Sequence, residues 1–525
     1  MRALVPFPTP PSLPGAPVLK PQPPPSKPKR RLLSLLLDAL LNKIHLMAEA
    51  GAGKSRWLGR CLTWQLLLYG IPTVVIDPTG GVVDNFFDKL SRLPREVQQS
   101  LWKRVVYADM SGKGGYVPAF PLYYRLSEDD SLYDIAQRYV EVVERLDPYL
   151  KTASVMGLNA IINLGTWSGI LLASLGYQIT EAEDLIRHPK RWEGRFERAL
   201  SLSPEVKPAV EFFRDLEGLQ DNVRARRSES FLTKIQPFSA DPTTRAIFGA
   251  SEPSISWDQV VKQRQVVLLD FRHEQNATRK RFKLLWCFRF LVDYLKHRGV
   301  AGRRQPVAFL IDEITQLLGF GQEQSVMAED IEELVSVVAR NYGVYLTIAH
   351  QNLPQLNSIR IQKCLMAMGT QMIGVQTDPE SAQYLANYFC RYQPYKVKRY
   401  EPIWMGGPFG PFVVDYRPVE FTPEEQTLLN SYEFMDLGKF QFLVRAPQRE
   451  GDLRASLRRV SIDGLDRGLY PNEELVAQAR ELLMKRRGRP VREVLNEIAA
   501  RHQRLVTGLS PAALEVSDTP RFWGE

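Results

Sequence analysis

The sequence predicts an α/β protein in which a parallel sheet is covered by helices on both faces. Three observations lead to this fold class. Short apolar runs, such as 73–76 and 307–311, alternate with helical patterns, as the strands of buried parallel sheets do. A glycine loop follows the first apolar run and leads directly into a helical pattern after Ser55. Strand-like runs then disappear between 122 and 238, where the pattern is helical throughout.

The glycine loop lies in the segment KIHLMAEAGAGKS, from Lys43 to Ser55. Small residues let successive backbone N–H groups turn inward, and the N-terminus of the following helix adds positive potential. Lys54 is predicted to reach the β- and γ-phosphates of ATP, and Ser55 to hold Mg²⁺. The residues predicted to bind the nucleotide are Ala50, Gly51, Ala52, Gly53, Lys54 and Ser55.

This loop departs once from the G-x-x-x-x-G-K-[ST] pattern, because Ala48 stands where the pattern has glycine. The cradle is formed mainly by the backbone from 50 to 55, so we expect Ala48 to be tolerated. Glu49 would place a negative charge beside a triphosphate, and we therefore expect its side chain to point away.

Two acids follow the apolar run 307–311, namely Asp312 and Glu313. This is the Walker B arrangement, in which Asp312 orders Mg²⁺ through water and Glu313 polarises the attacking water as general base. Paired acids after a strand are also common helix caps, so Asp312 and Glu313 indicate a nucleotide site only in combination with Lys54 and Ser55. The sequence thus predicts a RecA-like P-loop NTPase sheet.

The next strand-like run, 344–349, presents His350 and Gln351 at its carboxyl end. Ligands of open α/β sheets bind at that edge, so Gln351 is predicted to sense the γ-phosphate, with a surface turn amide as the alternative. Asp77 follows the run 73–76 and either faces the same crevice or caps its own turn. Further strands are predicted at 104–110, 265–271 and, as closing strands, within 435–462.

These elements divide the chain into five parts. We predict a disordered proline-rich leader at 1–31, the first part of the ATPase core at 32–120 and an all-helical insertion domain at 121–245. The second part of the core follows at 246–465, and a basic helical C-terminal tail at 466–525.

Three segments allow more than one interpretation. The stretch 152–180 carries no charge and is long enough to span a bilayer, but its glycines and asparagines favour a pair of buried helices, so no membrane span is expected. Residues 319–326 could line a DNA channel or be a plain connector. The glycines and prolines of 406–412 predict a rigid loop.

The net charge of +9 favours a polyanionic partner. Four widely separated cysteines form no disulfide framework, as expected in a reducing cytoplasm. Three clusters of basic residues could contact DNA, but each could also be an ordinary solvated helix face. The third contains KRRGRP, which resembles an AT-hook core. The three clusters are Arg224, Arg226 and Arg227; Arg279, Lys280, Arg281 and Lys283; and Lys485, Arg486, Arg487 and Arg489.

The motifs together resemble the HerA/FtsK superfamily of P-loop motors, most closely the conjugative coupling proteins of type IV secretion. The resemblance rests on AGAGKS, VVIDPTGG, VVLLDF, FLIDE, ARNYGV, TIAHQNLPQL and GTQMIGVQTDPESAQYLANYF. It implies a hexameric ring with DNA in a central channel. It also implies that Arg340 acts in trans on the neighbouring subunit's nucleotide and that Gln351 belongs to the catalytic set with Lys54 and Glu313.

The predicted function is therefore an ATP- and Mg²⁺-dependent, ring-forming DNA translocase of the conjugative type. The expected partners are duplex DNA bound without sequence preference, further copies of the chain in a homo-hexamer, and a membrane or DNA-processing protein. The expected location is the cytoplasm, at the inner face of the membrane through such partners. The alternatives are a viral or plasmid genome-packaging ATPase, and a nucleotide-gated DNA-binding module that recruits other proteins without translocation.

Overall fold

The structure of the chain is a computed structural model that describes residues 43–146, 155–298, 305–319, 322–408, 410–446, 457–462 and 472–507. The predicted leader 1–31 therefore lies outside the described residues, as does the end of the predicted tail, 508–525.

The strands are numbered in chain order. Those within the described ranges are β1 (Ile44–Met47), β2 (Thr73–Asp77), β3 (Val105–Asp109), β4 (Tyr116–Val117), β5 (Val266–Asp270), β6 (Val307–Ile311), β7 (Val344–His350), β8 (Thr370–Ile373), β9 (Val397–Gly407), β10 (Gly410–Glu420), β11 (Gln441–Arg445), β12 (Arg458–Ser461) and β13 (Arg489–Pro490).

Two of the helices contain a π-helical segment. Helix α1 runs through Lys54–Arg56, the π-helical Trp57–Thr63 and Trp64–Tyr69. The helices after it are α2 (Gly81–Ser91), α3 (Arg95–Trp102), α4 (Leu132–Leu146), α5 (Val155–Ser174), α6 (Ala182–Arg187), α7 (Glu193–Leu202), α8 (Lys207–Glu217), α9 (Asp221–Ala240), α10 (Pro242–Gly249), α11 (Trp257–Lys262), α12 (Ala277–His297), α13 (Thr315–Leu318), α14 (Gln322–Glu333, the π-helical Leu334–Val338 and Ala339–Asn341), α15 (Ile359–Met366), α16 (Pro379–Phe389), α17 (Pro423–Met435), α18 (Glu473–Arg487) and α19 (Val491–Thr507).

Nine strands form one sheet in the order β12-β11-β8-β1-β7-β6-β2-β5-β3. From β8 to β3 all neighbours are parallel, whereas β11 pairs antiparallel with both β8 and β12. Every residue of β1, β2 and β7 is buried, as expected for parallel strands covered on both faces. The predicted α/β class with a RecA-like sheet is confirmed.

The two faces of the sheet support two hydrophobic cores. Alternate residues of one strand point to opposite faces, and accordingly Val74 and Ile76 join one core while Val75 joins the other. The first core contains α4 to α12, and the second contains α1, α2 and α18. The sheet is thus held between a large helical layer and a thinner one.

Where it is described, the uncharged stretch 152–180 forms one α-helix, Val155–Ser174, followed by the start of a short 3-10 helix at Ile179, so the predicted pair of buried helices is wrong. Helix α5 continues through Gly165 and Gly169. These glycines do not end the helix; they let α4 pack closely against it. A Cβ on Gly169 would lie 2.6 Å from the Cβ of Ala136, and one on Gly165 would lie 2.9 Å from a methyl group of Val140. Within the described ranges, no helix has both the length and the apolarity needed to cross a membrane.

Two predicted loops are also corrected. Residues 406–412 are not a rigid loop but the tip of the antiparallel hairpin that β9 and β10 form. Of the predicted channel loop 319–326, the part from Gln322 onward belongs to α14. Its Gln324 side chain is buried and donates hydrogen bonds to the carbonyls of Gly319 (3.0 Å) and Gln355 (2.8 Å). This side chain therefore holds a turn together and does not face a channel.

The helices of the predicted tail lie against their own chain. Helix α18 packs on β3 and α2, and the backbone N–H of Asn472, which precedes α18, donates to Asp88 at 2.7 Å. Arg489 pairs with Val117 in a separate two-stranded sheet of β13 and β4 and forms an ion pair with Glu497 at 2.7 Å. The KRRGRP segment is therefore not a free extended peptide, and its interpretation as an AT-hook is wrong.

Candidate functional site

Three adjacent strands bring together three of the four predicted catalytic residues, Lys54, Glu313 and Gln351. Strand β7 lies between β1 and β6, so the segments that follow their carboxyl ends meet at one edge of the sheet. The Ser55 hydroxyl donates to the Asp312 carboxylate at 3.0 Å. The Gln351 amide donates to the Glu313 carboxylate at 3.2 Å. Residues that lie far apart in the chain thus form one site.

The loop before α1 has the backbone geometry of an anion cradle. Gly51 and Gly53 adopt φ values of +77° and +110°, a region that side-chain-bearing residues rarely adopt. Their N–H groups have no hydrogen-bond acceptor within the described part of the chain. Because they stand before the N-terminus of α1, they fit a bound phosphate.

Lys54 is folded back into this loop. Its ammonium group donates to the carbonyl of Ala48 and, at 3.4 Å, to that of Glu49. Burial lowers its pKa, while the nearby carboxylates of Glu313 and Asp312 act in the opposite direction. Ala48 is accommodated, as expected, because Gly374, which follows β8, leaves room for its methyl group.

Asp312 and Glu313 differ in their surroundings. Burial, followed by the charge of Glu313, raises the pKa of Asp312 to about 6, against the hydrogen bond from Ser55 and the charge of Lys54. Glu313 adopts φ of +47° and accepts a hydrogen bond from the Thr315 hydroxyl at 2.9 Å. Its two oxygens are therefore oriented, one by Thr315 and the other by Gln351.

Asp77 takes the capping role that the sequence left open. Its carboxylate accepts hydrogen bonds from the backbone N–H groups of Thr79 (3.1 Å), Gly80 (2.6 Å) and Val83 (2.9 Å). These bonds fix the turn after β2. A Cβ on Gly81, in the same turn, would lie 3.0 Å from the Cβ of Ser55, so the turn packs directly beside the candidate metal ligand.

The side chain of Glu49 forms hydrogen bonds with residues outside the loop. It accepts hydrogen bonds from the Asn352 amide at 3.2 Å and the Thr377 hydroxyl at 3.3 Å. The segments after β7 and β8 thereby anchor the loop. These two residues were not predicted from the sequence, although each follows a buried strand, which was the signal that identified Gln351.

A second contact that was not predicted closes the loop from the side. The N–H of Phe440 donates to the carbonyl of Ala52 at 3.0 Å, and its ring lies 4.8 Å from the Arg56 guanidinium. A Cβ on Gly53 would come within 2.5 Å of this ring. Phe440 carries no catalytic signature in the sequence, so only the fold reveals the contact.

Arg340 is not part of this cluster. It is exposed and lies at the end of α14, shortly before β7 begins at Val344. The seven residues of β7 separate it from Gln351, which corresponds to about 20 Å along a strand. Arg340 therefore stands at the opposite edge of the sheet from Lys54 of the same chain.

The second basic cluster is largely internal. Lys283 is buried and donates to Glu274 at 2.6 Å and to the carbonyl of Met110 at 2.8 Å. Arg279 pairs with Asp241 at 2.7 Å. Such ion pairs occupy the charges within the fold, whereas Arg226 and Arg227 of the first cluster are exposed.

Known proteins resemble this chain in structure only. No protein-family model matches it, and no curated protein does. Solved structures similar to it include the bacterial conjugative coupling protein TrwBdeltaN70 in an unbound form, with a TM-score of 0.47 and 14% identity over 84% of this chain and 88% of that one.

Another is the plasmid coupling protein TrwB in complex with ADP and Mg²⁺, with a TM-score of 0.48 and 14% identity over 85% of this chain and 92% of that one. VirB4 of Thermoanaerobacter pseudethanolicus has a TM-score of 0.45 and 14% identity over 82% and 91% of the two chains. The coupling proteins among these structures are of the kind that the sequence motifs resemble.

Proposed function

We propose that this chain is an ATP-hydrolysing motor that moves duplex DNA as a subunit of a ring. The single observation that carries the proposal is the contact of 3.0 Å between Ser55 and Asp312. It joins a phosphate loop and a Walker B acid that are separated by 257 positions in the chain. The residues present fit ATP and Mg²⁺, because two loop N–H groups lack acceptors in the described ranges and a hydroxyl and a carboxylate converge beside them.

Each residue has a task in this proposal. Mg²⁺ held by Ser55 and Asp312 would neutralise charge on the β- and γ-phosphates of ATP. Lys54 exchanges its bond to the carbonyl of Ala48 for a phosphate oxygen. Glu313, oriented by Thr315 and Gln351, takes a proton from the attacking water as general base.

In the proposed ring, a neighbouring subunit supplies the pocket with a further positive charge. Developing negative charge on the transferring phosphoryl group calls for an arginine, and such a finger contributes about 10³ to 10⁵ in rate. Arg340 is exposed at the far edge of the sheet, so it would serve the pocket of a neighbouring subunit. Hydrolysis would then depend on assembly, with a homo-hexamer as the proposed ring.

The hydrolytic role is tested with Glu313→Gln in the full chain. We expect ATP turnover to fall by about 10² to 10⁴, the usual contribution of a general base, while nucleotide binding persists. The matched control is Glu197→Gln, since Glu197 is exposed and pairs with Arg214 at 2.6 Å in the helical layer. Turnover by Glu313→Gln at the level of this control would refute the assignment.

The role of Arg340 in trans is tested by mixing two variants. Lys54→Ala lacks its own nucleotide pocket, and Arg340→Ala lacks the finger, so each alone should be inactive. After mixing in equal amounts, about a quarter of the interfaces pair an intact pocket with an intact Arg340, if subunits assort at random. Turnover that stays absent in the mixture would show that Arg340 does not act across subunits.

Motion along DNA separates the motor from a recruitment module. If the chain is a motor, duplex DNA should stimulate its ATP turnover. It should also displace the third strand of a triplex from a linear duplex, and this displacement should depend on Glu313. A module that binds DNA without translocation would show neither effect. Salt should weaken DNA binding steeply, because backbone contacts release counterions.

A further inference from the structure

The hairpin of β9 and β10 carries two different faces. Each strand has eleven residues, which corresponds to a length of about 36 Å. On one face Glu401 forms ion pairs with Arg417 at 3.0 Å and with Arg399. Residues that are directly opposite, or two apart along a strand, share a face. The register of the two strands therefore shows on which face of the hairpin each remaining residue lies.

The opposite face is charged at its base, where Lys398 forms an ion pair with Glu425 at 2.5 Å, and apolar from Tyr400 to Trp404. Three of its positions lie on β9 and three on β10, and the register pairs Tyr400 with Pro418, Pro402 with Tyr416 and Trp404 with Val413. Tyr400, Trp404 and Tyr416 are 64%, 61% and 58% exposed. We call these six residues the aromatic face: Tyr400, Pro402, Trp404, Val413, Tyr416 and Pro418.

Such exposure is concentrated in this part of the chain. Of the 24 large hydrophobic side chains that are exposed in the described residues, 14 lie between 384 and 432. Single exposed apolar residues are normal, whereas a contiguous patch signals a binding surface. Rings of Tyr and Trp alternating with prolines match the surfaces that bind proline-rich peptides in the polyproline II conformation.

The chain itself contains a segment of that chemistry. Eleven prolines lie between 6 and 28, and four of them, Pro8, Pro11, Pro14 and Pro17, are spaced three residues apart. Polyproline II has three residues per turn and rises about 3.1 Å per residue. In that conformation the four prolines would form one stripe about 28 Å long, which is long enough to cover the aromatic face, because positions 400 to 404 of β9 span about 13 Å.

The base of the hairpin and the start of β1 lie at the same edge of the sheet. The carbonyl of Lys43 accepts a hydrogen bond from the N–H of Thr370, the first residue of β8, at 3.0 Å. The Tyr388 hydroxyl, near the end of the helix that leads to the hairpin, donates at 3.2 Å to Met366, just before β8. The chain from Pro17 to Lys43 can span up to about 85 Å, so the segment can reach the hairpin of its own chain.

We propose that the proline stripe of residues 8–17 binds the aromatic face of the hairpin in the same chain. Bound there, the segment covers a surface that is otherwise exposed. A partner protein or a neighbouring subunit that takes this surface would have to displace it. The proposal does not depend on the motor activity proposed above.

The test measures how fast hydroxyl radicals modify Trp404 and Tyr400 in the full chain. The comparison variant is Pro8→Ala, Pro11→Ala, Pro14→Ala and Pro17→Ala combined. If the tether gives an effective concentration on the order of 1 mM and the segment binds at about 100 µM, about nine copies in ten are covered. Modification of Trp404 should then be about tenfold faster in the quadruple variant.

Two controls make the result specific. Phe412 is 49% exposed and pairs with Met405 on the other face, so its modification rate should not change. A variant with four prolines replaced off the stripe, at 6, 10, 21 and 25, should protect Trp404 as the natural chain does. Equal rates for Trp404 in the natural chain and the stripe variant would overturn the proposal.

Dilution identifies the source of the segment. Protection by the same chain does not change with protein concentration, because the tether sets the effective concentration. Loss of protection on dilution by about a hundredfold would assign the segment to another copy and overturn binding within the chain. Protection that requires added single-stranded DNA would assign the face to nucleic acid and overturn the proposal as well.

Discussion

Replacing Gly53 by alanine tests the closure of the phosphate loop by Phe440. The new Cβ would lie 2.5 Å from one carbon of the Phe440 ring and 3.1 Å from another. The ring cannot retreat freely, because the Phe440 N–H is bonded to the carbonyl of Ala52 and the Phe440 carbonyl accepts a hydrogen bond from the N–H of Ile462 at 2.9 Å. Gly51→Ala is the matched control, since Gly51 also has positive φ but nothing lies within 4 Å of its added Cβ.

Both variants place a Cβ on a residue with positive φ, but only Gly53→Ala also crowds the Phe440 ring. A residue with a Cβ at positive φ costs about 1–2 kcal/mol in either position. Overpacking against Phe440 adds about 1–3 kcal/mol for Gly53→Ala alone. We therefore expect Gly51→Ala to destabilise the fold by about 1–2 kcal/mol, and Gly53→Ala by about 2–5 kcal/mol.

Phe440→Ala separates the two contributions in a double-mutant cycle. Thermal unfolding is measured for Gly53→Ala in the natural background and in the Phe440→Ala background. Without the ring, the effect of Gly53→Ala should fall by about 1–3 kcal/mol, because the overpacking is removed and only the backbone cost remains. If Gly53→Ala lowered the melting temperature equally in both backgrounds, the contact between Phe440 and the loop would be refuted.

The remaining predictions concern packing and buried charge. Gly169→Ala should lower the free energy of unfolding by about 1–3 kcal/mol, because its Cβ would lie 2.6 Å from that of Ala136. Gly194→Ala, whose Cβ would have nothing within 4 Å, should raise the free energy of unfolding by about 0.5–1 kcal/mol. Chemical denaturation of the two variants checks this difference in sign. Lys283→Met should cost about 3–5 kcal/mol because Glu274 keeps its burial and loses a partner at 2.6 Å. Adding Glu274→Gln should recover part of that loss, and a double variant no more stable than Lys283→Met would contradict this account of the ion pair.

The convergence of the candidate site residues could be predicted because these residues follow strands. Each of Lys54, Asp312 and Gln351 comes within a few residues of the end of an apolar run, and the carboxyl ends of parallel strands meet at one edge. Asp77 remained open between two roles, because both place a carboxylate at the end of β2 and only its three backbone partners distinguish them.

Other features could not be derived from local patterns. The glycines of α5 suggested a break between two helices, yet they permit contact with α4, which no local pattern reveals. The hairpin at 397–420 was missed because its prolines and glycines are typical of loops, although edge strands also tolerate them. The basic clusters looked like surface charge until their partners, such as Glu274 and Glu497, appeared in space.

The sequence alone determined that this is an α/β chain with a glycine loop between a strand and a helix, a pair of acids after another strand and a helical segment between the two halves of its sheet. These features depend on the order of residues along one strand, turn or helix, which the sequence contains directly. Only the tertiary structure decided which strands are neighbours, that Phe440 and Asn352 hold the loop, and that Arg340 stands away from its own pocket. Such relations depend on contacts between distant segments, and these arise only when the chain packs to bury its apolar faces.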